Sequence, residues 1–216
     1  MEKYNSNLNN GNPKNSLNVA PGVESLENNP EEKTLFNIKS YDDFKNWLKI
    51  GMEFEPSKKL KFHITPEFVE SFGKTFDDLY PPHLTPETAE KSIFSRLSPT
   101  EKPVAYVHGV ATLSFSSGFV RRLFSFKDDC VELISPGYDK VSFPVANPVG
   151  STITAKFKVV NIKYDDLIVE EEKIPRIRVT YELREYSDLI KKTDKEGQIV
   201  PICYAVYKTD YIKSAQ

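Results

Sequence analysis

The segment HGVATLSFSSGFVR, residues 108–121, decides the fold of this 216-residue chain. It continues as RLFSF to residue 126, and its first charged residue is Arg121. Apolar and small residues cover most of its circumference at helical spacing, so we predict a helix from Val110 to about Phe126. A helix that is apolar nearly all round is buried. Several small residues in it would let neighbouring backbone approach closely: Ala111, Ser114, Ser116, Ser117 and Gly118.

The apolar pattern changes to a period of two after Cys130. Apolar residues alternate with polar ones over 153–159 and again over 177–183, which is typical of long antiparallel strands with one wet face. One buried helix followed by such strands predicts an α+β fold, in which a long antiparallel sheet curls around the central helix. Two further strands are predicted over 141–145 and 202–211. Hairpin turns are predicted at Tyr164-Asp165-Asp166 and at Asp194 to Gly197.

The amino-terminal part of the chain has a different composition. Residues 1–33 are rich in Asn, Ser, Pro and Glu, and their few apolar residues are too scattered to form a buried face. Such a segment cannot bury enough surface to offset its chain entropy. We therefore predict a disordered leader over 1–33, followed by a single domain over 34–216.

Helix start signals recur in the first part of this domain. Each is a Ser or Thr that can cap a helix, followed by an acid or a proline in the first turn. They predict helices from Tyr41 to about Ile50, from Thr65 to about Phe72, and after Thr85, with a strand over Lys59 to Ile64. The segment DLYPPH, residues 78–83, then falls in a loop between two helices.

This loop sets a carboxylate, Asp78, and an imidazole, His83, five positions apart across two prolines. Proline fixes φ and pushes the preceding residue into extended geometry, so we expect Tyr80 and Pro81 to be extended and no helix between Asp78 and His83. A stiff loop can hold an acid–base pair at one point. The alternative is an ordinary surface turn, in which Asp78 caps a helix and His83 is solvated.

A second group of candidates lies at the start of the buried helix. Gly109 and Val110 would present unpaired backbone N–H groups, a site that suits an oxyanion. Ser114 could bind a carboxylate brought alongside, or it could bond to its own helix carbonyl. His108 could belong to the site or be a satisfied core histidine. For His63 we prefer a structural role on its strand.

Composition and the absence of known signals exclude several classes of protein. A net charge of −2 without a basic run argues against nucleic-acid binding. No window approaches the roughly 18 apolar residues of a membrane span. Cys130 and Cys203 lie in no C-x-x-C pair, so we expect reduced, buried thiols. These features predict a cytoplasmic location, and no pattern indicates a metal or a cofactor.

The two groups of residues together resemble a known family. The pattern Asp78-x-x-Pro81-x-His83 with Thr85-Pro86-Glu87-Thr88-Ala89, followed by His108-Gly109 and Ser114, resembles the signature of the MaoC-like dehydratases, the (R)-specific enoyl-CoA hydratases of the hot-dog fold. Residues 138–145 and 148–151 resemble the strand pair that follows the helix in that family. The opening from Phe44 to Thr65 resembles the nodulation-protein-N-like branch.

The resemblance implies a function and a set of roles. The reaction is reversible hydration of a trans-2-enoyl thioester of CoA or an acyl carrier to the (R)-3-hydroxyacyl thioester. Asp78 and His83 would activate the water, Gly109 would bind the thioester oxygen, and Ser114 would orient Asp78. Tyr80 and His108 would contact the substrate. The resemblance also implies a homodimer and no cofactor.

Two positions depart from the family pattern, which keeps other functions open. Tyr80 stands where the signature commonly has Asn, and Asp77 stands where it has Gly. A tyrosine is bulky and could occupy part of a substrate pocket. The alternatives are a hot-dog thioesterase acting on the same type of substrate, and a non-catalytic subunit that binds acyl thioesters.

Overall fold

The helices lie in the first part of the chain and the long strands in the second, as the change of apolar spacing after Cys130 predicts. The structure, a computed structural model, describes residues 23–25, 36–56, 60–127 and 130–214. Its helices are α1 Tyr41–Trp47, α2 Pro66–Phe76, α3 Pro81–Leu84, α4 Pro86–Glu90, α5 Ile93–Leu97 and α6 Gly109–Arg121. Its strands are β1 Val23–Ser25, β2 Phe36–Ile38, β3 Glu53–Phe54, β4 Phe62–Ile64, β5 Phe124–Phe126, β6 Val131–Ser142, β7 Thr152–Val169, β8 Glu172–Ser187 and β9 Cys203–Lys213.

One antiparallel sheet carries the fold. Its strands lie in the order β1-β4-β7-β8-β9-β6, with β3 also paired to β7. The alternating apolar residues predicted for β7 and β8 are all buried, and they form one core cluster with the inner face of α6. The predicted α+β arrangement, a long antiparallel sheet packed around a central helix, is therefore confirmed.

The central helix is shorter and less completely buried than we predicted. It begins at Gly109 and ends at Arg121, because Phe124–Phe126 pair in parallel with Phe36–Ile38 as a second small sheet. Val110 is 67% exposed and Ser114 is also exposed. The helix rests on one face of the sheet, so its opposite side has no partner of its own within the described chain.

One predicted hairpin turn is wrong. Tyr164-Asp165-Asp166 lie within β7, where Asp165 pairs in register with Arg176 and accepts a hydrogen bond from its Nε at 2.8 Å. This cross-strand ion pair stabilises Asp165 in a strand, although aspartate is normally depleted in strands. The chain instead turns at Glu170 and Glu171, both with positive φ, as a tight hairpin requires. The turn predicted from Asp194 to Gly197 is confirmed by the backbone hydrogen bond between these two residues.

The helix start signals act as the sequence predicts. Ser40, Thr65 and Thr85 each accept a hydrogen bond from a backbone N–H in the first turn of α1, α2 and α4. Two of the predicted ends differ, because α1 ends at Trp47 and α2 continues to Phe76. Of the strand predicted over 141–145, only Val141 and Ser142 are in a strand, at the end of β6, and the prediction is wrong for 143–145. His63 lies on β4.

The predicted disordered leader contains a short strand. Val23–Ser25 pair antiparallel with β4. A strand added to an existing edge obtains its backbone hydrogen bonds from that edge, so it needs no apolar face of its own. The rest of residues 1–33 lies outside the described residues. No helix in the described chain is long and apolar enough to cross a membrane.

Both thiols are free, but they differ in burial. Cys203 is buried, as predicted, whereas Cys130 is only half-buried. Cys203 lies beside Glu185 across the β8–β9 pair. Glu185 is fully buried, and neither carboxylate oxygen has a hydrogen-bond partner in the part of the chain that the structure describes. Burial raises the pKa of the Glu185 carboxyl well above its usual range.

This carboxyl makes stability depend on pH. Between the ordinary pKa of a glutamate and the raised pKa, the folded chain keeps the proton that the unfolded chain loses, so stability falls as pH rises. We expect Glu185→Met to raise the free energy of unfolding by about 1–3 kcal/mol at pH 8. The gain should be smaller at pH 5. Urea unfolding at both pH values measures it.

Glu132→Met, at an exposed position of β6, is the control for the chemical change. It should alter stability by less than about 0.5 kcal/mol at either pH. An equal gain for Glu185→Met at pH 5 and pH 8 would contradict the assignment of a raised pKa.

Candidate active site

The carboxylate of the site is positioned by the end of α2. Asp77 adopts the left-handed conformation there, with φ 55° and ψ 30°, and the N–H of Asp78 donates to the Gly73 carbonyl at 2.9 Å. Glycine is the usual residue at this position of a helix end. Asp77 therefore adopts, at the position of the glycine in the family pattern, the left-handed conformation that glycine favours.

The prediction that no helix forms between Asp78 and His83 is wrong. Tyr80 is extended, as expected before proline, but Pro81 and Pro82 open the helical turn α3, which includes His83. Proline fits the first helical positions because its φ is already helical and its missing N–H would have no partner there. The turn directs His83 towards Tyr106.

His83 is held in one tautomer. Its Nδ1 lies 2.6 Å from the backbone oxygen of Tyr106. A carbonyl oxygen only accepts hydrogen bonds, so Nδ1 carries the proton and Nε2 of the neutral ring is a free acceptor. Burial lowers the pKa of His83, outweighing the opposing effect of the Tyr106 hydrogen bond. At neutral pH the imidazole is therefore ready to accept a proton.

His108 links the acidic loop to the central helix. It is 2% exposed, directly precedes α6, and its Nε2 donates to the backbone oxygen of Asp78 at 2.9 Å. Its ring stacks on that of His83, with 4.0 Å between ring centroids. These contacts are to the protein, as the core-histidine alternative expects, but Nδ1 of His108 is buried without a hydrogen-bond partner among the described residues, so the histidine is only partly satisfied.

Asp78, His83 and His108 converge on one point. A ligand atom from each lies within 4.8 Å of the others, and the Asp78 side chain is 51% exposed. A zinc ion at about 2.1 Å from two donors would hold them no more than roughly 4.2 Å apart. A water about 2.8 Å from each donor bridges any separation up to roughly 5.6 Å. The cluster could take a metal by tightening, but its spacing accepts a water as it stands.

The first residue of α6, Gly109, directly follows His108 of this cluster in the sequence. Gly109 is the first residue of the 13-residue helix, and N–H groups in a first turn have no partner within the helix. The ring of Phe143 packs over it, so a Cβ at Gly109 would lie 3.0 Å from that ring. Only a glycine leaves room for this contact without a shift.

The structure does not join every predicted residue to the cluster. Ser114 is exposed, and its hydroxyl donates to the Ala111 carbonyl of its own helix at 2.6 Å. No hydrogen bond joins it to Asp78 among the described residues. Tyr80 does lie beside His83, with 5.7 Å between ring centroids, and it is 53% exposed. The structure thus brings together Asp78, Tyr80, His83, His108 and Gly109, and leaves Ser114 outside.

Sequence reasoning missed three contributors. Gly73 lies under the loop, where a Cβ would be 2.9 Å from the Asp78 backbone oxygen and 3.4 Å from His108 Cε1. Tyr106 acts through its carbonyl, which every residue type has. Phe143 reaches Gly109 from the end of β6. A glycine inside the helical pattern of α2 was the one available signal.

A cavity of about 590 Å³ opens beside the cluster, with His83 in its wall. It lies between α2, the α3–α4 segment and the chain at Val104, Ala105 and Val149. Most of its lining residues are apolar. An apolar cavity with a few polar groups at one end is the usual form of a small-molecule site.

Comparison with known proteins identifies the fold. No family model matches the chain, and no curated protein matches it. Among solved structures, a monoamine oxidase regulatory protein from Archaeoglobus fulgidus is 24% identical, with a TM-score of 0.53, 83% of this chain covered and 97% of that one. A MaoC-like dehydratase from Rhodospirillum rubrum is 16% identical, with a TM-score of 0.53 and coverage of 78% and 96%.

A third solved structure identifies the fold by name. Protein RV0216 from Mycobacterium tuberculosis, described as having a double hot-dog fold, is 11% identical with a TM-score of 0.53. The match covers 82% of this chain and 45% of that protein. The chain therefore has the hot-dog fold. At these identities the likeness establishes the fold alone, and the nodulation-protein-N-like branch stays a prediction from sequence.

Gly73→Ala tests the support under the loop. Replacing glycine by alanine in a helix interior normally raises the free energy of unfolding by about 1 kcal/mol. Here the new Cβ would meet a backbone oxygen at 2.9 Å, so we expect lower stability and a displaced Asp78 loop. Urea unfolding and the chemical shifts of His108 measure the two effects. Ser71→Ala, at an exposed position of the same helix, should be neutral or slightly stabilising, and an equal gain at Gly73 would refute the contact.

The lowered pKa of His83 predicts a pH dependence. The neutral ring is needed to accept a proton, so activity should fall as pH drops through a midpoint below 6.5, the ordinary histidine value. Below 6.5 the unfolded chain binds this proton before the folded chain does, so stability falls as the pH drops from 6.5 to the midpoint of the folded chain. NMR titration of the His83 ring, assigned with His83→Gln, measures the midpoint. A value above 6.5 would show that burial does not dominate.

Proposed function

We propose that this chain is a hydro-lyase of the MaoC-like dehydratase family, which hydrates trans-2-enoyl thioesters to (R)-3-hydroxyacyl thioesters. The observation that carries the proposal is the pairing of Asp78 with a tautomer-locked His83 across a gap that suits one water. The likeness to a MaoC-like dehydratase fold supports it. The near-complete signature in the sequence supports it independently.

The chemistry assigns a task to each group. A water held between His83 Nε2 and the Asp78 carboxylate loses a proton to this pair as its oxygen bonds to C3 of the enoyl group. The electrons of the 2,3 double bond move towards the thioester oxygen, and when they return to C2 the pair gives the water's proton to that carbon and regains its starting protonation state. The Gly109 N–H at the start of α6 stabilises the negative charge on that oxygen.

His108, Phe143 and Tyr106 support this reaction without taking part in it. His108 holds the Asp78 backbone and stacks on His83. Phe143 packs over Gly109 and limits the access of bulk water to the helix start. Hydrogen bonds to a developing charge are worth most where water is excluded. Ser114 keeps the orienting role only if its hydroxyl turns away from Ala111.

We also propose a homodimer. Within the described chain β6 is an edge strand, paired with β9 on one side only. Exposed apolar residues lie near this edge and on the outer side of α6: Val110, Ile134, Val141 and Phe143. An edge strand with apolar neighbours needs cover, and two-fold pairing of identical edges supplies it. Hot-dog proteins often pair in this way.

Asp78→Asn tests the function. The amide cannot take a proton from water, so we expect kcat for the hydration of crotonyl-CoA and of trans-2-octenoyl-CoA to fall by about 10²–10⁴-fold. The loss of the enoyl-thioester absorbance measures the rate. Asp77→Asn changes the neighbouring exposed carboxylate in the same way and should keep at least half of the activity.

Three outcomes would overturn the proposal. Full activity in Asp78→Asn would remove Asp78 from the reaction. Release of free thiol from acyl-CoA would indicate the thioesterase, because hydration changes the enoyl absorbance and leaves the thioester bond intact. Saturable acyl-CoA binding without turnover of either chain length would indicate a non-catalytic subunit.

A further inference from the structure

We propose that the cavity beside His83 binds the acyl chain of the substrate and selects chains of eight or more carbons over four. The identity of the substrate as an enoyl thioester rests on the function proposed above. The preference for a long apolar chain comes from the cavity itself. Four features carry it: the character of the wall, its charges, two exposed leucines and its size.

The wall offers a chain almost nothing but apolar contacts. Val69, Val104, Ala105 and Val149 line its inner part, and Pro66 and Pro86 line the sides. Prolines at the first position of a helix present no N–H to the cavity. A ligand rich in hydroxyl or amide groups would lose its hydrogen bonds to water here without replacement. An alkyl chain loses none.

Charge separates the two ends of a thioester substrate. The charged residues in the wall are Glu70 and Lys74, and they form an ion pair with each other. A paired lysine leaves no net positive charge to hold phosphates. The nucleotide of CoA carries several phosphates, so this cavity suits the acyl end and not the CoA end.

Two exposed leucines indicate that the cavity is meant to be covered. Leu79 and Leu84 flank His83 in the chain, and they are 48% and 42% exposed. Both line the cavity. An alkyl chain lying against them would remove this apolar surface from water. Because His83 belongs to the same wall, a chain lying against both leucines would pass close to the imidazole.

The size of the cavity separates long chains from short ones. At roughly 30 Å³ per non-hydrogen atom, the share of a water in the liquid, half of the 590 Å³ volume already holds about ten atoms. Four carbons leave most of it empty. Tyr80, the bulky departure from the family pattern, is not part of the lining and does not shorten the cavity.

The test is a chain-length series with the full chain. We expect kcat/KM for trans-2-enoyl-CoA to rise up to about fourfold per added methylene, from the transfer free energy of one CH₂. Because the cavity is open to solvent on one side, the gain from four to eight carbons should be at least tenfold. Calorimetric binding of acetyl-CoA and of decanoyl-CoA, which cannot be hydrated, measures the same preference without turnover.

A matched pair of variants locates the chain. Leu84→Asp places a charge in the wall and should lower the ratio of kcat/KM for eight carbons to that for four by at least tenfold. Leu97→Asp makes the same change at a leucine on α5 that is 40% exposed and outside the lining. It should leave the ratio at its wild-type value. Thermal melting of both variants checks that they fold.

The outcomes separate this inference from the proposed function. Hydration without dependence on chain length, or an equal effect of both aspartate variants, would overturn the inference and leave the function intact. Stronger binding of decanoyl-CoA than of acetyl-CoA, without hydration of any enoyl-CoA, would overturn the function and support the cavity. Equal binding of the two thioesters would overturn the inference.

Discussion

The site depends on the hydrogen bond between His108 Nε2 and the backbone oxygen of Asp78. His108 directly precedes α6, and α6 is fixed by the core that it forms with the long sheet. Through this bond, a loop with little buried surface of its own takes its position from the helix that packs on the sheet. His108 is 2% exposed, so water has little access to the donor of this bond, and such a bond is stronger than one in water.

The same histidine explains why the catalytic candidates form one group. It stacks on His83, lies against Gly73 and directly precedes Gly109 in the chain. The two halves of the sequence signature, 25 residues apart between His83 and His108, therefore meet at a single side chain. His108 thus connects the Asp78 loop, the imidazole of His83 and the start of α6 at one place.

The cavity and the cluster complement each other electrostatically. The cluster holds three ligand-type side chains, whereas the cavity wall is apolar and its two opposite charges pair. A molecule with a reactive polar group at the end of an alkyl chain matches this division. In the proposed reaction, the polar cluster would hold the reacting bond and the apolar cavity would hold the chain attached to it.

Much of the fold could be predicted from periodicity. The buried residues of β7 and β8 follow the alternation of two, and the caps at Ser40, Thr65 and Thr85 begin the helices as their local chemistry requires. The prediction of a turn at Tyr164 to Asp166 is wrong, because Arg176 on the neighbouring strand stabilises Asp165 in a strand. Propensity records only the residue, whereas the partner comes from another part of the chain.

For the site, the sequence by itself determined which side chains are present: a carboxylate and an imidazole near two prolines, and a His-Gly pair before an apolar helix. The tertiary structure decided what each does. It gave His83 its tautomer through the Tyr106 carbonyl, buried His108, and turned the Ser114 hydroxyl to Ala111. Backbone groups are the same at every position, so the contacts that assign these roles exist only once the chain has folded.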